Sequence, residues 1–278
     1  MGHGEQNMNK ILCSTGALVG RPNGRNFKLL KDICPSLKCD GLEFMMYDTW
    51  YDRIDEIKSF FPSLPQKIYT FHLEKQIGEL ISHYRLDEAL EKMEFNCALA
   101  RDLGAELLVL HLWNGIISDK NIEYNFECFK YLSAIAQEKG LTLTVENVVC
   151  SQKDPFTHML SLLEMYPKIS FTFDTKMAQF HRQLDLIYTR DGDRVFEHIA
   201  HIHMNDYGGE YMDWSNLRVL PLGCGGVDFD KFFELLKMKN YKGNFTLEAT
   251  CFDQSGKISL DGLNRSIDII KERLFNRE

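Results

Sequence analysis

"HIAHIHMNDY", residues 198–207, is an alternating apolar run that carries three histidines and then ends in polar, turn-prone residues. The alternation predicts a buried β-strand, and Asn205-Asp206 predicts its end. Because side chains alternate along a strand, His201 and His203 share one face, with His201 one layer deeper. The stretch therefore predicts a strand with imidazoles at its carboxyl end.

Apolar runs of similar length recur along the chain, and longer segments with helical spacing separate them. Seven further runs have strand length and β-branched or aromatic content: "KILCSTGALVG", "CDGLEFMMY", "KIYTFHLE", "AELLVLHLW", "LTLTVENVV", "KISFTFDT" and "GNFTLEAT". Helical spacing is clearest in residues 86–105, 121–140 and 228–243. Eight alternating units in 278 residues predict a (β/α)8 TIM barrel of the α/β class. A doubly wound open sheet is the alternative.

The bulk composition predicts one reduced globular domain. No linker rich in Pro, Gly or Ser divides the chain, so we expect a single domain over residues 10–278 after a loose polar segment, residues 1–9. The net charge of −8 argues against nucleic acid as a partner. The eight cysteines form no C-x-x-C pair, and no apolar run reaches the roughly 18 residues of a membrane span. We therefore expect a cytoplasmic protein without a membrane partner; whether it forms a homo-oligomer stays open.

Six of the predicted strands end in a residue that can bind a metal ion. These residues are His72, His111, Glu146, Asp174, His203 and Glu248. Barrel active sites lie at the carboxyl ends of the strands. Taken alone, each such residue is more often a hydrogen-bonded core or rim residue. Together, converging carboxylates would repel one another unless a divalent cation such as Mn, Zn, Co or Mg bound them.

Five motifs resemble those of a known superfamily in their order and spacing. "TVEN", "FTFDT", "HIHMND", "PLGCGGVDF" and "FTLEA" look like the motifs of the xylose-isomerase-like TIM barrels. That group includes endonuclease IV, ketose 3-epimerases, hydroxypyruvate isomerase and inosose dehydratase. The resemblance runs from "GLEF" (residues 41–44) onward. It implies that one metal ion is held by Glu146, Asp174, His203 and Glu248.

The resemblance also implies an activity. We expect a metal-dependent isomerase or epimerase of a small carbohydrate, such as a sugar, sugar phosphate or polyol. Glu146 and Glu248 would transfer a proton through a metal-stabilised enediolate. His72 and His111 would bind substrate oxygens or build a second metal position with Glu146. A dehydratase of the inosose type, an endonuclease IV-like phosphodiesterase and a non-catalytic sugar-binding barrel are the alternatives.

Two departures from the family pattern narrow these alternatives. Endonuclease IV holds a third zinc with a histidine three residues after the aspartate that corresponds to Asp174, and with an Asp-x-His triplet. Here Met177 and the stretch 217–219, "LRV", stand at those positions, which disfavours a nuclease. Met177 also replaces a substrate-binding histidine of the ketose 3-epimerases, a polar role that Lys176 or His181 could take over. Arg218 falls near an arginine that contacts substrate in those epimerases, or it is a solvated loop residue.

Overall fold

The fold is a closed barrel of eight parallel strands. The computed structural model describes residues 9–250, 252 and 255–275, without the side chain of residue 275. Strands β1 to β8 pair in chain order, and β8 closes on β1. Their bounds are Ile11–Ser14, Gly41–Met45, Ile68–His72, Leu107–Leu110, Thr142–Glu146, Ser170–Asp174, Ile199–Met204 and Asn244–Leu247. The predicted (β/α)8 barrel is confirmed and the open-sheet alternative is wrong. Except for residue 9, the predicted loose segment 1–9 lies outside the described residues.

Helices follow the strands and surround the barrel. Helices α1 to α11 span Thr15–Leu18, Leu30–Ile33, Ile54–Phe60, Gln76–Ser82, Leu86–Asp102, Ile122–Glu138, Pro155–Met165, Thr175–Phe180, Arg190–Phe196, Phe229–Met238 and Leu260–Phe275. After α5 and α6, Gly104 and Gly140 adopt φ of 83° and 70°, a left-handed turn that favours glycine. Asp228 caps α10 by accepting the Lys231 N–H at 3.0 Å. Among the described residues, no helix is both long and apolar enough to cross a membrane.

The barrel interior beneath the carboxyl ends of the strands is polar. It contains side chains that are at most 1 % exposed: Glu43, Thr70, Thr144, Thr172, His201 and Thr246. Thr144 and Thr172 share a hydrogen bond of 2.6 Å between their hydroxyl oxygens. His201 lies 2.8 Å from the Thr246 hydroxyl, one layer below His203 as strand alternation predicts. These six residues form a polar layer inside the barrel, beneath the carboxyl ends of the strands.

The loop that follows β7 covers part of the carboxyl face of the barrel. The buried carboxylate of Asp206 accepts four backbone N–H groups, from Tyr207, Gly223, Gly225 and Val227, at 2.8–3.1 Å. A side chain at Gly225 would place its Cβ only 2.4 Å from Asp206 Oδ1, so this close approach needs glycine. The loop is thus tied to one carboxylate from both of its ends.

Candidate active site

Four of the predicted residues meet at the carboxyl end of the barrel. Glu146 and Asp174 end β5 and β6, His203 lies near the end of β7, and Glu248 directly follows β8. One ligand atom from each lies within 4.8 Å of the others, so we call them the ligand group. Asp174 and His203 are register partners on neighbouring strands. Three of the four are at most 1 % exposed, whereas the Glu248 side chain is 15 % exposed.

Carboxylates surround the His203 imidazole on both sides. Its Nδ1 lies 2.9 Å from Glu146 Oε1 and 3.5 Å from Glu248 Oε1. Its Nε2 lies 3.1 Å from Glu43 Oε2. Burial opposes a charge on this imidazole, but Glu248, Glu43 and Glu146 outweigh burial and raise the pKa of His203 well above its ordinary value. Burial would likewise raise the pKa of Glu146, but His203 and His111 hold it well below its ordinary value.

Asp174 is held by backbone and amide donors. Its Oδ1 accepts the Met177 N–H at 2.8 Å, and its Oδ2 accepts the Asn205 side-chain amide at 2.6 Å. The same amide nitrogen donates to Glu248 Oε2 at 2.9 Å. Burial raises the pKa of Asp174 to about 6; Lys176 opposes this shift, while Glu146 and Glu248 add to it. A cation within the ligand group would keep this carboxyl ionised.

His72 and His111 form a second group with Glu146. Their Nε2 atoms lie 3.5 Å and 2.6 Å from Glu146 Oε2. His72 Nδ1 donates to the Leu73 carbonyl at 2.9 Å, so its Nε2 is the nitrogen that faces Glu146. Burial lowers the pKa of His111 to about 4, against the influence of Glu146. Two imidazole nitrogens facing one carboxylate oxygen suit a shared cation as well as a substrate hydroxyl.

Three buried polar atoms at the site lack a well-directed hydrogen bond within the described part of the chain, and the chemistry of the residues here suits a divalent cation. Glu146 Oε2, Glu43 Oε1 and His111 Nδ1 are buried and form no well-directed hydrogen bond with the described residues. A buried carboxylate oxygen in this state costs free energy unless an ion or a ligand satisfies it. Carboxylate oxygens combined with imidazole nitrogens are donors that Zn and Mn accept. The ligand group could therefore hold such an ion.

Sequence analysis misses Glu43, although the site depends on it. This β2 residue is fully buried, and its Oε2 accepts the Thr246 hydroxyl at 3.3 Å and lies 3.3 Å from His201 Nε2. Because Glu43 faces Nε2 of His203, the Nδ1 atom of that ring is left to face the ligand group. The signal is present in "GLEF", where a carboxylate interrupts an apolar strand.

A cleft of about 410 Å³ opens above the ligand group. Its lining residues are Ser14, Gly16, Arg21, Arg25, Met45, Met46, Tyr47, Asp48, Glu74, Lys75, Gln76, His111, Glu146, Lys176, Met177, Val219, Glu248 and Thr250. Arg218 is exposed and does not line the cleft, so its contact with substrate stays a prediction. Of the two residues considered as replacements at Met177, Lys176 lines the cleft. His181 is turned elsewhere, with its Nε2 accepting the Cys150 N–H at 3.2 Å.

The chain matches the sequence pattern of one family of barrels over most of its length. A family model described as "Xylose isomerase-like TIM barrel" matches residues 32–273. The chain therefore belongs to this family, as its motifs predict.

Individual relatives include a dehydratase and sugar epimerases. An inosose dehydratase of Bacillus cereus is 23 % identical over 193 residues, which cover 59 % of this chain and 64 % of the relative. The chain thus matches less than two thirds of that relative's length. The structure of an L-ribulose 3-epimerase superposes with a TM-score of 0.72 at 16 % identity, covering 96 % of this chain and 95 % of that one. The IOLI protein, solved with a bound zinc atom, also gives 0.72 at 16 % identity, covering 96 % and 100 %.

Proposed function

We propose that the protein is a divalent-metal-dependent isomerase or epimerase of a small carbohydrate. The observation that carries this proposal is the ligand group, whose four donor atoms lie within 4.8 Å of one another beneath a cleft of about 410 Å³. Cofactor-binding and substrate-binding clefts of this size are typical of small-molecule enzymes. An L-ribulose 3-epimerase among the similar structures supports a carbohydrate substrate.

Glu146 and Glu248 are the proposed proton carriers. Both line the cleft, from β5 and from the end of β8, so they approach a bound substrate from different strands. Glu146 is ionised at neutral pH because its pKa is held low, and it is the carboxylate that would accept the carbon-bound proton. Glu248 is partly exposed and is oriented by Asn205, and it returns a proton at the other face. A divalent ion in the ligand group would offset the negative charge that the substrate oxygens gain when the proton leaves.

The other cleft residues position the substrate and limit access of water. Met45, Met46 and Met177 supply an apolar wall beside the acids. Less water around the carboxylates strengthens their interaction with a developing charge. His111 faces the same cleft and, as a neutral imidazole, can hydrogen-bond a substrate hydroxyl.

The proposal is tested by removing each proton carrier separately. Glu146→Gln and Glu248→Gln should each abolish turnover in a screen of ketoses, their phosphates and inososes with added Mn²⁺, while circular dichroism shows an intact fold. Glu164→Gln, an exposed position on α7, is the matched control and should keep full activity. Full activity in either cleft variant would remove the proposed pair of carriers.

A dehydratase is the second candidate, because a curated relative carries the name inosose dehydratase. The same two carboxylates would serve this reaction: one removes the carbon-bound proton, and the other protonates a departing β-hydroxyl, which leaves as water. Mass spectrometry of the product separates the two reactions. A product lighter by one water favours the dehydratase, and a product of unchanged mass favours the isomerase or epimerase.

A further inference from the structure

The acidic side chains that line the cleft already have partners. Asp48 forms an ion pair with Arg25 at 2.7 Å. Glu74 forms one with Lys92 at 2.5 Å and also accepts a hydrogen bond from a tyrosine hydroxyl. The two remaining acids, Glu146 and Glu248, belong to the ligand group. Each of the four carboxylates that line the cleft is thus either in an ion pair or part of the ligand group.

Three basic side chains of the same cleft have no such partner. Arg21, Lys75 and Lys176 line it, and within the described residues none of their charged groups forms a hydrogen bond or an ion pair. Arg21 and Lys75 are exposed, so water solvates them. Lys176 is only 6 % exposed. Most of the Lys176 side chain is therefore held in place by packing, and its accessible part belongs to the lining of the cleft.

The neighbouring acid, Asp174, is not an ion-pair partner of Lys176. Asp174, two residues before Lys176, uses one oxygen for the Met177 N–H and the other for the Asn205 amide. Asp174 therefore stabilises Lys176 through longer-range attraction and makes no ion pair with it. Lys176 thus lines the cleft with a positive charge that has no ion-pair partner among the described residues.

We propose that the cleft selects a sugar derivative with an anionic group, a carboxylate or a phosphate, and that Lys176 binds this group. Lys75 and Arg21 add positive charge at the rim. Oxyanions are the partners that lysine and arginine bind through charge-assisted hydrogen bonds. The inference rests on the proposed function only in taking this cleft as the substrate site, and it names the substrate class that the proposal leaves open.

Isothermal titration calorimetry with three probes tests this selection without relying on turnover. D-fructose is the neutral probe, D-fructose 6-phosphate carries a phosphate and D-glucuronate carries a carboxylate. Each is titrated into the full-length protein with Mn²⁺ and, in a second series, with EDTA. At least one anionic probe should bind about tenfold or more tightly than D-fructose, and the difference should shrink as salt is raised. Which of the two anions is preferred separates phosphate from carboxylate.

Variants of two lysines, one just before β6 and one just after it, complete the test. Lys176→Gln should remove the preference, so that the affinities of the anionic probes fall about tenfold or more relative to that of D-fructose in the same variant. Lys168→Gln, an exposed lysine just before β6, is the matched control and should keep the preference. Two outcomes overturn the inference: neither anion binds more tightly than D-fructose, or Lys176→Gln weakens all probes and Mn²⁺ equally. Because the readout is binding and not turnover, anion selection can be confirmed even if the isomerase proposal fails. Equally, the protein can be an isomerase that does not prefer anions.

Discussion

Two groups of histidines are equally buried but face different surroundings. His72, His111 and His203 lie at the carboxyl end of the barrel and are at most 4 % exposed. His158 and His181 lie in the surrounding helix and loop layer and are 1 % and 4 % exposed. The first three contact carboxylates, whereas His158 packs edgewise against aromatic rings at 5.2 and 5.5 Å. Burial therefore does not distinguish a site histidine from a core histidine.

The charges that surround each imidazole do distinguish the two groups. Burial lowers the pKa of both His158 and His181, which stay neutral in the folded protein. At His203 the same burial is outweighed by three carboxylates, and the pKa rises. An imidazole surrounded by acids at the mouth of a barrel is thus a stronger sign of function than a buried imidazole.

The largest expected effect comes from exchanging one histidine of each group for asparagine. His203→Asn should lower turnover at least ~10³-fold and abolish tight Mn²⁺ binding, because it removes one of the four proposed ligands. His181→Asn should keep turnover within a few-fold of the parent. Steady-state kinetics and metal analysis of both purified variants check this. Equal losses of turnover in the two variants would contradict the distinction between site histidines and core histidines.

The second-largest expected effect is stabilisation of the folded protein by added metal. At a free Mn²⁺ concentration of one hundred times Kd, the free energy of unfolding should rise by about 2.7 kcal/mol, because only the folded chain assembles the ligand group. Asp174→Asn should largely remove this gain. Thermal denaturation with Mn²⁺ and with EDTA measures it, and an unchanged midpoint would contradict a metal site in the group.

Glu43→Gln should weaken Mn²⁺ binding roughly 10–100-fold, as loss of a carboxylate behind a metal-binding histidine typically does. The variant removes the charge that faces His203 Nε2 and leaves the ligand group itself unchanged. Glu91→Gln, exposed on α5, is the control. Competition titration with a metal indicator gives both affinities. A Glu43→Gln affinity equal to that of the parent would show that Glu43 does not tune the site.

The smallest expected effect is a dependence of stability on pH through His181. Burial lowers the pKa of His181 to about 4, below its ordinary value near 6.5. Between these values the unfolded chain binds a proton that the folded chain does not, so the free energy of unfolding falls as pH falls. His181→Asn should reduce the loss between pH 7 and pH 5 by about 1–2 kcal/mol. Urea unfolding at the two pH values tests this, and parallel curves for parent and variant would refute it.

Strand-end residues were predictable because two regularities of the sequence reinforce each other. Parallel strands of a barrel end on one face, and an ionisable residue that interrupts an apolar run needs a partner there. That reasoning locates Glu146, Asp174 and His203 without knowledge of any contact. Glu43 satisfies the same rule, but it lies two residues before the end of β2 and outside the motifs that suggest metal ligands.

Loop residues of the cleft could not be located in the same way. Arg218 and Val219 are neighbours in sequence, yet only Val219 lines the cleft. Their placement depends on how the loop folds around Asp206, a tertiary arrangement that leaves no periodic pattern in the sequence. The same applies to Arg21, which reaches the cleft from the segment after α1.

The four backbone N–H groups that donate to Asp206 affect how a ligand reaches the carboxyl face of the barrel. Because these hydrogen bonds hold both ends of the segment to one buried carboxylate, we expect the segment to keep its place when a ligand binds. A ligand would then enter an opening that is already formed. Binding would cost little free energy for ordering the loop. The width of that opening would then limit the size of the ligand, and Val219 of this loop contributes to its lining.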